Sequence, residues 1–430
     1  MNRPMLTLLS FVVAVGICGC SADNSAVAKY RQAAEAGDAA SQCQLGLAYQ
    51  RGEGVAKDPA EAVKWYTKAA EQGNAEAQFR LGWCYNHGRG VEKNSAEAVK
   101  WYTKAAEQDH TKAQFCLGVS YSQGNGVKKD PVEATKWIRK AAEQGDTAAQ
   151  CAMGMRYESG SGVKKDPAEA IKWYTKAAEQ GNTTAQFSLG ILYAQGNGVP
   201  RNTAEAAKWF RKAAEQGDAV AQYELGRRYA HGIGVPEDHK QSVHWFGKAA
   251  AQNYAPAQFY LGIWYQNGLT ERGTGAVVVK KDPESAAQLF GKALPAIRKD
   301  AESGDARAQY VLGLYHHGAT GEKEDRKLAF DWYLKAAERG NADGQVAVGK
   351  CYEDGRGVER DPAKAVAWYR KAAEGGDLWA QVVLGDCYRF GRGVEKNPEL
   401  ALTWLRQAAA QNYAPALKAL KSMERDAAKK

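Results

Sequence analysis

The chain repeats one motif at a fixed interval, and this constrains its fold more than any other feature. A glutamine recurs every 36 residues from Gln42 to Gln258, and the series resumes at Gln309 and ends at Gln381. A tryptophan series accompanies it, with Leu289 as the exception. A unit of this size buries its apolar face only against its neighbours. The 430 residues therefore predict a repeat array rather than several globular domains.

Each unit reads as two helices joined by a glycine-rich turn. In the first unit we predict a helix over Ala39–Arg51, with Gly46 inside it. A glycine within a helix costs about 1 kcal/mol against alanine. Because this glycine recurs in each unit, we expect two helices to approach too closely there for a Cβ. Gly52 and Gly54 then end the helix, since positive φ is favourable only for glycine.

The second helix of each unit has an explicit start signal. In the first unit we predict Asp58 as the N-cap, Pro59 as the first helical residue and Glu61 as the residue that completes a capping box. Lys68 lies in the last turn, where a cation suits the helix dipole. The predicted buried stripe comprises Ala62, Trp65, Tyr66 and Ala69.

The period of 36 and the loop Gly-x-Gly-Val-x-x-Asp-Pro resemble the Sel1-like repeat, which shares its plan with tetratricopeptide repeats. The resemblance covers nearly all of residues 38–413. It implies an all-α, right-handed α/α superhelical solenoid of about ten helix-turn-helix repeats. The first helices would line the concave face and the second helices the convex face. Proteins of this kind serve as adaptors that hold proteins or peptides, which implies a non-catalytic scaffold with no cofactor.

The N-terminus carries a predicted export signal. Arg3 precedes an apolar run over residues 6–17, which is too short to span a bilayer. Residues 17–20 (Ile-Cys-Gly-Cys) resemble a bacterial lipobox, which implies cleavage before Cys20 and a lipid anchor on its thiol. Ser21 stands where Asp would favour the inner membrane, so the resemblance favours an outer-membrane lipoprotein facing the periplasm or the cell surface. The alternative is ordinary secretion with Cys20 free.

The period breaks in one place. The unit after Gln258 is 15 residues longer than the others, with about eight extra residues in Leu269–Lys281 and about seven near residues 294–300. In the next unit His316 takes the tyrosine position and Ala319 a glycine position. The segments are 1–19, lipoprotein signal peptide; 20–37, lipidated N-terminus, a linker over 21–27 and a half-repeat; 38–267, regular repeats; 268–344, irregular repeats; 345–413, regular repeats; and 414–430, a capping helix (Ala414–Asp426) and tail.

No cysteine or histidine arrangement predicts a metal, cofactor or catalytic site. The cysteines beyond Cys20 all fall on first helices, unlike the paired pattern of disulfide-bearing Sel1-like proteins, so we predict free thiols with Cys84–Cys116 as the least implausible pair. These cysteines are Cys43, Cys84, Cys116, Cys151, Cys351 and Cys387. Histidine spacing fits no metal site. His87, His110, His231, His239, His244, His316 and His317 are expected at the surface, with the 239/244 and 316/317 pairs as candidate ligand contacts.

The net charge of +9 is spread over many repeats, which argues against a nucleic-acid patch. The residue before the helix cap is nevertheless basic in eight of ten units. One reading is a basic edge that attracts an anionic glycan or lipid, and the other is a solvated edge neutralised by the adjacent Asp caps. The row comprises Lys57, Lys93, Lys129, Lys165, Arg201, Lys281, Arg360 and Lys396, and it is interrupted by Glu237 and Glu324.

The leading functional prediction is a membrane-anchored scaffold for protein–protein interaction in the bacterial cell envelope, with partners in the concave groove. The alternative is a secreted ligand-binding or weak β-lactam-binding or hydrolysing protein of the same repeat class. Since the recurring residues are predicted to form helix caps, turns and the core, partner contacts are expected at positions where the units differ. Those places are the long unit and first-helix positions such as Cys43, Gln44, Leu47 and Gln50.

Overall fold

A computed structural model describes residues 24–271, 274–319 and 324–428. Over these ranges the protein is an all-α solenoid in which consecutive helices pack in pairs, one pair for each repeat. The helices are α1 (Asn24–Glu35), α2 (Ala39–Arg51), α3 (Pro59–Glu71), α4 (Ala75–His87), α5 (Ser95–Glu107), α6 (Thr111–Gln123), α7 (Pro131–Glu143), α8 (Thr147–Ser159), α9 (Pro167–Glu179), α10 (Thr183–Gln195), α11 (Thr203–Glu215), α12 (Ala219–His231), α13 (His239–Ala251), α14 (Ala255–Asn267), α15 (Pro283–Glu302), α16 (Ala306–Leu314), α17 (Arg326–Glu338), α18 (Ala342–Asp354), α19 (Pro362–Glu374), α20 (Leu378–Phe390), α21 (Pro398–Ala409) and α22 (Ala414–Ala428).

The described residues belong to two compact units. The N-terminal unit contains the chain up to Ala149 together with Ser161–Val163. The C-terminal unit contains Gln150–Gly160 and the chain from Lys164 onward. In each unit a second helix packs against the first helix of its own repeat and against that of the following repeat.

The predicted helix start is confirmed, except for one half of the capping box. Asp58 caps α3 by accepting hydrogen bonds from the N–H groups of Ala60 and Glu61, and Pro59 is the first helical residue. The Glu61 carboxylate does not return to the cap. It binds Lys64 Nζ at 2.7 Å instead, because the N–H of Asp58 already donates to the carbonyl of Tyr49 at 2.9 Å.

The glycine inside each first helix meets the second helix of its own repeat, as the sequence predicts. A Cβ on Gly46 would lie 2.7 Å from Tyr66 Cε1 and 3.1 Å from the carbonyl oxygen of Ala62. Gly52 and Gly54 adopt positive φ of 79° and 70°. These recurring glycines therefore serve packing and chain reversal.

The recurring glutamine links each repeat to the one before it, a role that sequence reasoning missed. The side chain of Gln42 is buried, and its Nε2 donates to the carbonyl oxygen of Ala34 at 3.0 Å. Its Oε1 accepts from Nε2 of Gln72 at 2.7 Å, and Gln72 is the residue that follows α3. We call this second bond the glutamine bridge. It recurs as Gln108–Gln78, Gln144–Gln114, Gln180–Gln150, Gln216–Gln186 and Gln252–Gln222.

The extra residues of the long unit form a hairpin and a helical extension. Strands β1 (Leu269–Thr270) and β2 (Val277–Val279) pair antiparallel, with Leu269 opposite Val279. Helix α15 has 20 residues, whereas the second helices of the regular repeats before it have 13. The next first helix ends in a π-helical turn, Tyr315–Ala319, in which Gly318 has φ of 80°. Gly318, one residue before Ala319, therefore takes the role that Gly52 has in the first repeat, which is to end the helix with a positive φ.

One prediction for the chain ends was partly wrong and the other is confirmed. Helix α1 begins at Asn24, so residues 24–27 are helical and the predicted linker over 21–27 was too long. The predicted terminal helix is confirmed as α22. The predicted signal peptide and Cys20, the predicted lipidation site, lie outside the described residues.

Candidate functional site

In the N-terminal unit, the first helices present a row of half-buried apolar side chains. The row takes the ninth residue of three successive repeats: Leu47 in α2, Trp83 in α4 and Val119 in α6. Phe79 and Phe115 lie on the same helices and are also half-buried. We call these five residues the apolar row. Gln44 is exposed, as expected, but Cys43 is 3% exposed and belongs to the core, so its prediction as a contact position was wrong.

An ionic cluster lies beside the apolar row. Glu76 binds Arg80 at 2.6 Å and His110 Nε2 at 2.9 Å. His110 Nδ1 accepts from the N–H of Ala113, so Nε2 carries the proton and donates to Glu76. The hydrogen bond from His110 lowers the pKa of Glu76 to about 2, against the opposing effect of burial and with help from Arg80. The His110 ring stacks on Phe79 at 4.8 Å, which ties the cluster to the row.

In the C-terminal unit, several of the variable first-helix positions carry charges that pair with each other. Arg227 in α12 donates from Nη2 to both carboxylate oxygens of Asp343 in α18, at 2.7 and 2.9 Å. Glu224, also in α12, accepts from Arg307 in α16. Burial alone would raise the pKa of Glu224, but the nearby arginines outweigh it and lower this pKa. First helices two and three repeats apart thus contact each other, which places them on the inner side of this unit.

This charged cluster is packed among tyrosines. Arg307 also donates to the hydroxyl of Tyr254 at 3.1 Å, and Tyr223 is 1% exposed. Burial raises the pKa of Tyr223, Tyr254, Tyr260 and Tyr310. The charged side chains on the inner side of the C-terminal unit therefore bind each other, whereas the apolar row of the N-terminal unit is only half-buried.

The row of basic residues before the helix caps is exposed at seven of its eight positions. Arg201 is half-buried, because it donates to the carbonyl oxygens of Ala194 (2.9 Å) and Gly376. The prediction that all eight share one open edge was therefore wrong for Arg201. Cations remain available at the other positions, among them Lys57, Lys93 and Lys129 of the N-terminal unit.

The six cysteines within the described ranges are free thiols, as predicted. Five of the six are buried, and Cys116 is intermediate. Burial raises the pKa of Cys43, Cys84, Cys351 and Cys387 to about 11 and that of Cys116 and Cys151 to about 12. Such thiols are poor nucleophiles and poor metal ligands.

The histidines have structural contacts. His87 donates from Nδ1 to the carbonyl oxygen of Trp83 and stacks on its ring. His239 pairs with Glu237 at 3.3 Å, and His317 lies 3.9 Å from Glu324. Over the described ranges no three His, Cys, Asp or Glu side chains converge as metal ligands. In the same ranges no helix has the length and hydropathy needed to cross a bilayer.

The paired helices, the glycine turns and the interlocked glutamines define an α-solenoid built from one repeated module. A model of the Sel1 repeat matches this module ten times, and the chain therefore belongs to the Sel1-repeat family. Proteins of this family are scaffolds for protein interaction. The matches cover residues 39–74, 75–110, 111–146, 147–182, 183–218, 219–254, 255–294, 306–341, 342–377 and 380–413.

A solved structure agrees with this assignment. The chain is 37% identical to a protective antigen of uropathogenic Escherichia coli strains that displays the same repeat fold, over 93% of this chain and 90% of that one, with a TM-score of 0.53. It is also 37% identical to a Sel1 repeat protein from Oxalobacter formigenes, over 54% of this chain and 97% of that one, with a TM-score of 0.46. A search of curated proteins gave no match.

Proposed function

We propose that this protein is a non-catalytic scaffold that is anchored by a lipid on Cys20 and holds other proteins together in the bacterial cell envelope. One observation carries the proposal. The recurring residues serve caps, turns and helix packing, whereas the apolar row of the N-terminal unit varies between repeats and is only half-buried. A half-buried row of large apolar side chains on first helices suits a protein partner.

Substitutions in the row test this role. Leu47→Ser and Trp83→Ala together remove two large side chains from the contact surface, so we expect crosslinking in intact envelopes to capture the partner several-fold less. Val132→Ser is the matched control, because Val132 is 66% exposed but lies on the second helix α7. A matched lipoprotein without repeats sets the background. Equal capture by the double variant and the control would exclude the row as the binding surface.

The lipid anchor has a separate test. The pattern of residues 17–20 supports it, and the description of the E. coli relative as a protective antigen favours an accessible place in the envelope. Cells fed a labelled fatty acid should label the native protein but not Cys20→Ser, which should also leave the outer-membrane fraction. Labelling that persists in Cys20→Ser would contradict an anchor on this thiol.

The exposed lysines support a finer proposal, in which the basic edge attracts anionic glycans or lipid headgroups. We expect Lys57→Glu, Lys93→Glu and Lys129→Glu combined to weaken binding to anionic vesicles or acidic polysaccharide and to reduce its salt dependence. Arg201 is left unchanged, because its contacts are internal. If neither affinity nor salt dependence changes, the edge is only a solvated face.

A further inference from the structure

Within the C-terminal unit, segments far apart in sequence contact each other. Ile233 packs against an apolar cluster that includes Leu378 and Tyr413. Gln411 Nε2 donates to the carbonyl oxygen of Arg201 at 3.0 Å, a hydrogen bond across 210 residues. In a solenoid each repeat contacts only its neighbours. These contacts are therefore an addition to the repeat plan. We call the contacts of residues 376–416 with residues 201–233 the latch.

The latch contacts of Gln411 take the place of the glutamine bridge that earlier repeats form. It follows Gln381 by 30 residues, the spacing at which Gln72 forms a glutamine bridge with Gln42. Gln411 does not bridge to Gln381, whose Oε1 is buried without a hydrogen-bond partner. A buried acceptor without a partner is destabilising, so the latch contacts must outweigh this cost.

The Oε1 atom of Gln411 caps a distant helix. It accepts from the N–H of Thr203, the first residue of α11, at 3.0 Å. The first N–H groups of a helix have no partner within that helix. Without Gln411 this N–H would face solvent. The protection of one backbone N–H thus reports directly on whether the latch is closed.

The latch also explains why Arg201 is half-buried. The other basic residues before the helix caps are exposed, whereas Arg201 donates to the carbonyl oxygen of Gly376. The latch therefore combines polar and apolar contacts, and the ion pair of Arg227 with Asp343 adds a contact between α12 and α18 just outside it.

We infer that the latch is an opening and closing device in which Gln411 has two positions. In the closed state, which the structure shows, Gln411 binds Arg201 and Thr203. In the open state Gln411 Nε2 returns to Gln381 Oε1 and forms the glutamine bridge found in earlier repeats. Because the open state regains this bond, opening costs less than the lost contacts alone would require. Opening uncovers Ile233 together with the cluster around Leu378.

The uncovered apolar surface would then be available to a protein partner. This consequence rests on the proposed scaffold function, but the latch itself does not. It is tested on the isolated full chain, so failure of the latch and failure of the scaffold role are distinguishable.

Hydrogen exchange and small-angle scattering test the latch. In Gln411→Ala the hydrogen bonds of Gln411 with Arg201 and Thr203 are both lost, and we expect exchange of the Thr203 N–H to be about tenfold faster and the radius of gyration to increase. Gln216→Ala is the matched control. It removes the glutamine bridge to Gln186 in the same unit, but Gln216 makes no latch contact. It should leave the Thr203 exchange rate and the radius of gyration at their wild-type values.

A second variant addresses the apolar part of the latch. Ile233→Ser should open it in the same way, with far-UV circular dichroism unchanged because no helix is lost. Wild-type exchange at Thr203 and wild-type scattering in Gln411→Ala would overturn the proposal, whatever Ile233→Ser does. Equal acceleration in Gln411→Ala and Gln216→Ala would also overturn it, since the effect would then be a general loss of stability.

Discussion

The glycine of each first helix lies against an aromatic ring of the second helix, and this contact sets the distance between them. A Cβ on Gly82 would lie 2.8 Å from Tyr102 Cδ1 and 3.1 Å from the carbonyl oxygen of Ala98. Tyr102 is 2% exposed and has little room to move. Gly82→Ala should therefore lower the free energy of unfolding by about 1–3 kcal/mol, measured by urea denaturation.

Gly247 provides the control for this substitution. It lies within α13, and a Cβ there would meet nothing within 4 Å. Gly247→Ala should stabilise the protein by up to about 1 kcal/mol, because alanine favours the helix. If both substitutions shift stability in the same direction, close packing is not the reason for the recurring glycine.

The pair of Glu76 and His110 makes part of the stability depend on pH. The folded-state pKa of Glu76 is about 2, below the value of 4.5 for the unconstrained group. A lowered pKa means that the charged form stabilises the fold above pH 4.5 and that this contribution is lost as the pH falls toward 2. The thermal midpoint of Glu76→Gln should lie below that of the wild type at pH 7, and the difference should narrow by about pH 3.

Glu97→Gln is the control for the pH effect. Glu97 pairs only with Lys100 on its own helix, at 3.3 Å, and exposed pairs of this kind contribute about 0–1 kcal/mol. A pH-independent difference between Glu76→Gln and the wild type would contradict the role of the Glu76 charge.

Residue roles were predictable where they depend on local backbone geometry. Asp58 and Gly52 could be assigned because capping and positive φ each favour few residue types. The role of Gln42 could not, because its partner Ala34 lies in the preceding helix and its partner Gln72 follows the next one. A polar residue at fixed spacing indicates only that its position matters. His110 was likewise expected at the surface, yet it joins two repeats through Glu76.

At the scale of elements, the hairpin of the long unit should be dispensable for folding. Val279 is 6% exposed and stands where Val55 stands in the first repeat, so it should be kept. Replacing residues 269–278 by Glu-Gly, the residues between Gly52 and Val55, restores the regular loop. Far-UV circular dichroism should stay unchanged and the thermal midpoint nearly so, because loop length changes cost little.

The same variant asks whether the hairpin contacts a partner. Loss of envelope crosslinking with unchanged circular dichroism would identify β1 and β2 as a contact element. A large fall in helical signal would instead show that the hairpin is needed for folding, contrary to the expectation.

The seven additional residues near 294–300 could be counted from the sequence, but their structure could not be predicted. They continue α15 to Glu302 despite Pro295 inside the helix. Packing against the neighbouring helices α14 and α16 compensates for the hydrogen bond that proline removes.

At the scale of the whole molecule, the six described cysteine thiols can report on the opening of individual repeats. They lie in six different repeats, and burial raises the pKa of each well above neutrality. In the soluble form beginning at Ser21, we expect slow reaction with a thiol reagent at pH 8 and complete reaction of all six in urea. A reducing agent should leave the thermal midpoint unchanged. Fewer than six reactive thiols in urea without reductant would reveal a disulfide.

The sequence determined the repeat fold almost completely, because a 36-residue period specifies contacts between neighbours. It could not predict the pairing of Arg227 with Asp343, since contacts beyond neighbours leave no periodic signal. The apolar row could also be predicted only in part from the sequence. The sequence pointed to variable positions, but burial separates Leu47 from Cys43, which lies in the core.

The latch has a consequence for how this chain could lengthen or shorten in evolution. Where each repeat touches only its neighbours, as from residue 39 to residue 110, one whole module could be duplicated or lost and the flanking modules would still fit. Between Arg201 and Gln411 the number of modules sets whether the two segments meet. Gain or loss of one module there would separate the segments, so selection on the latch would preserve the repeat number in this half of the chain.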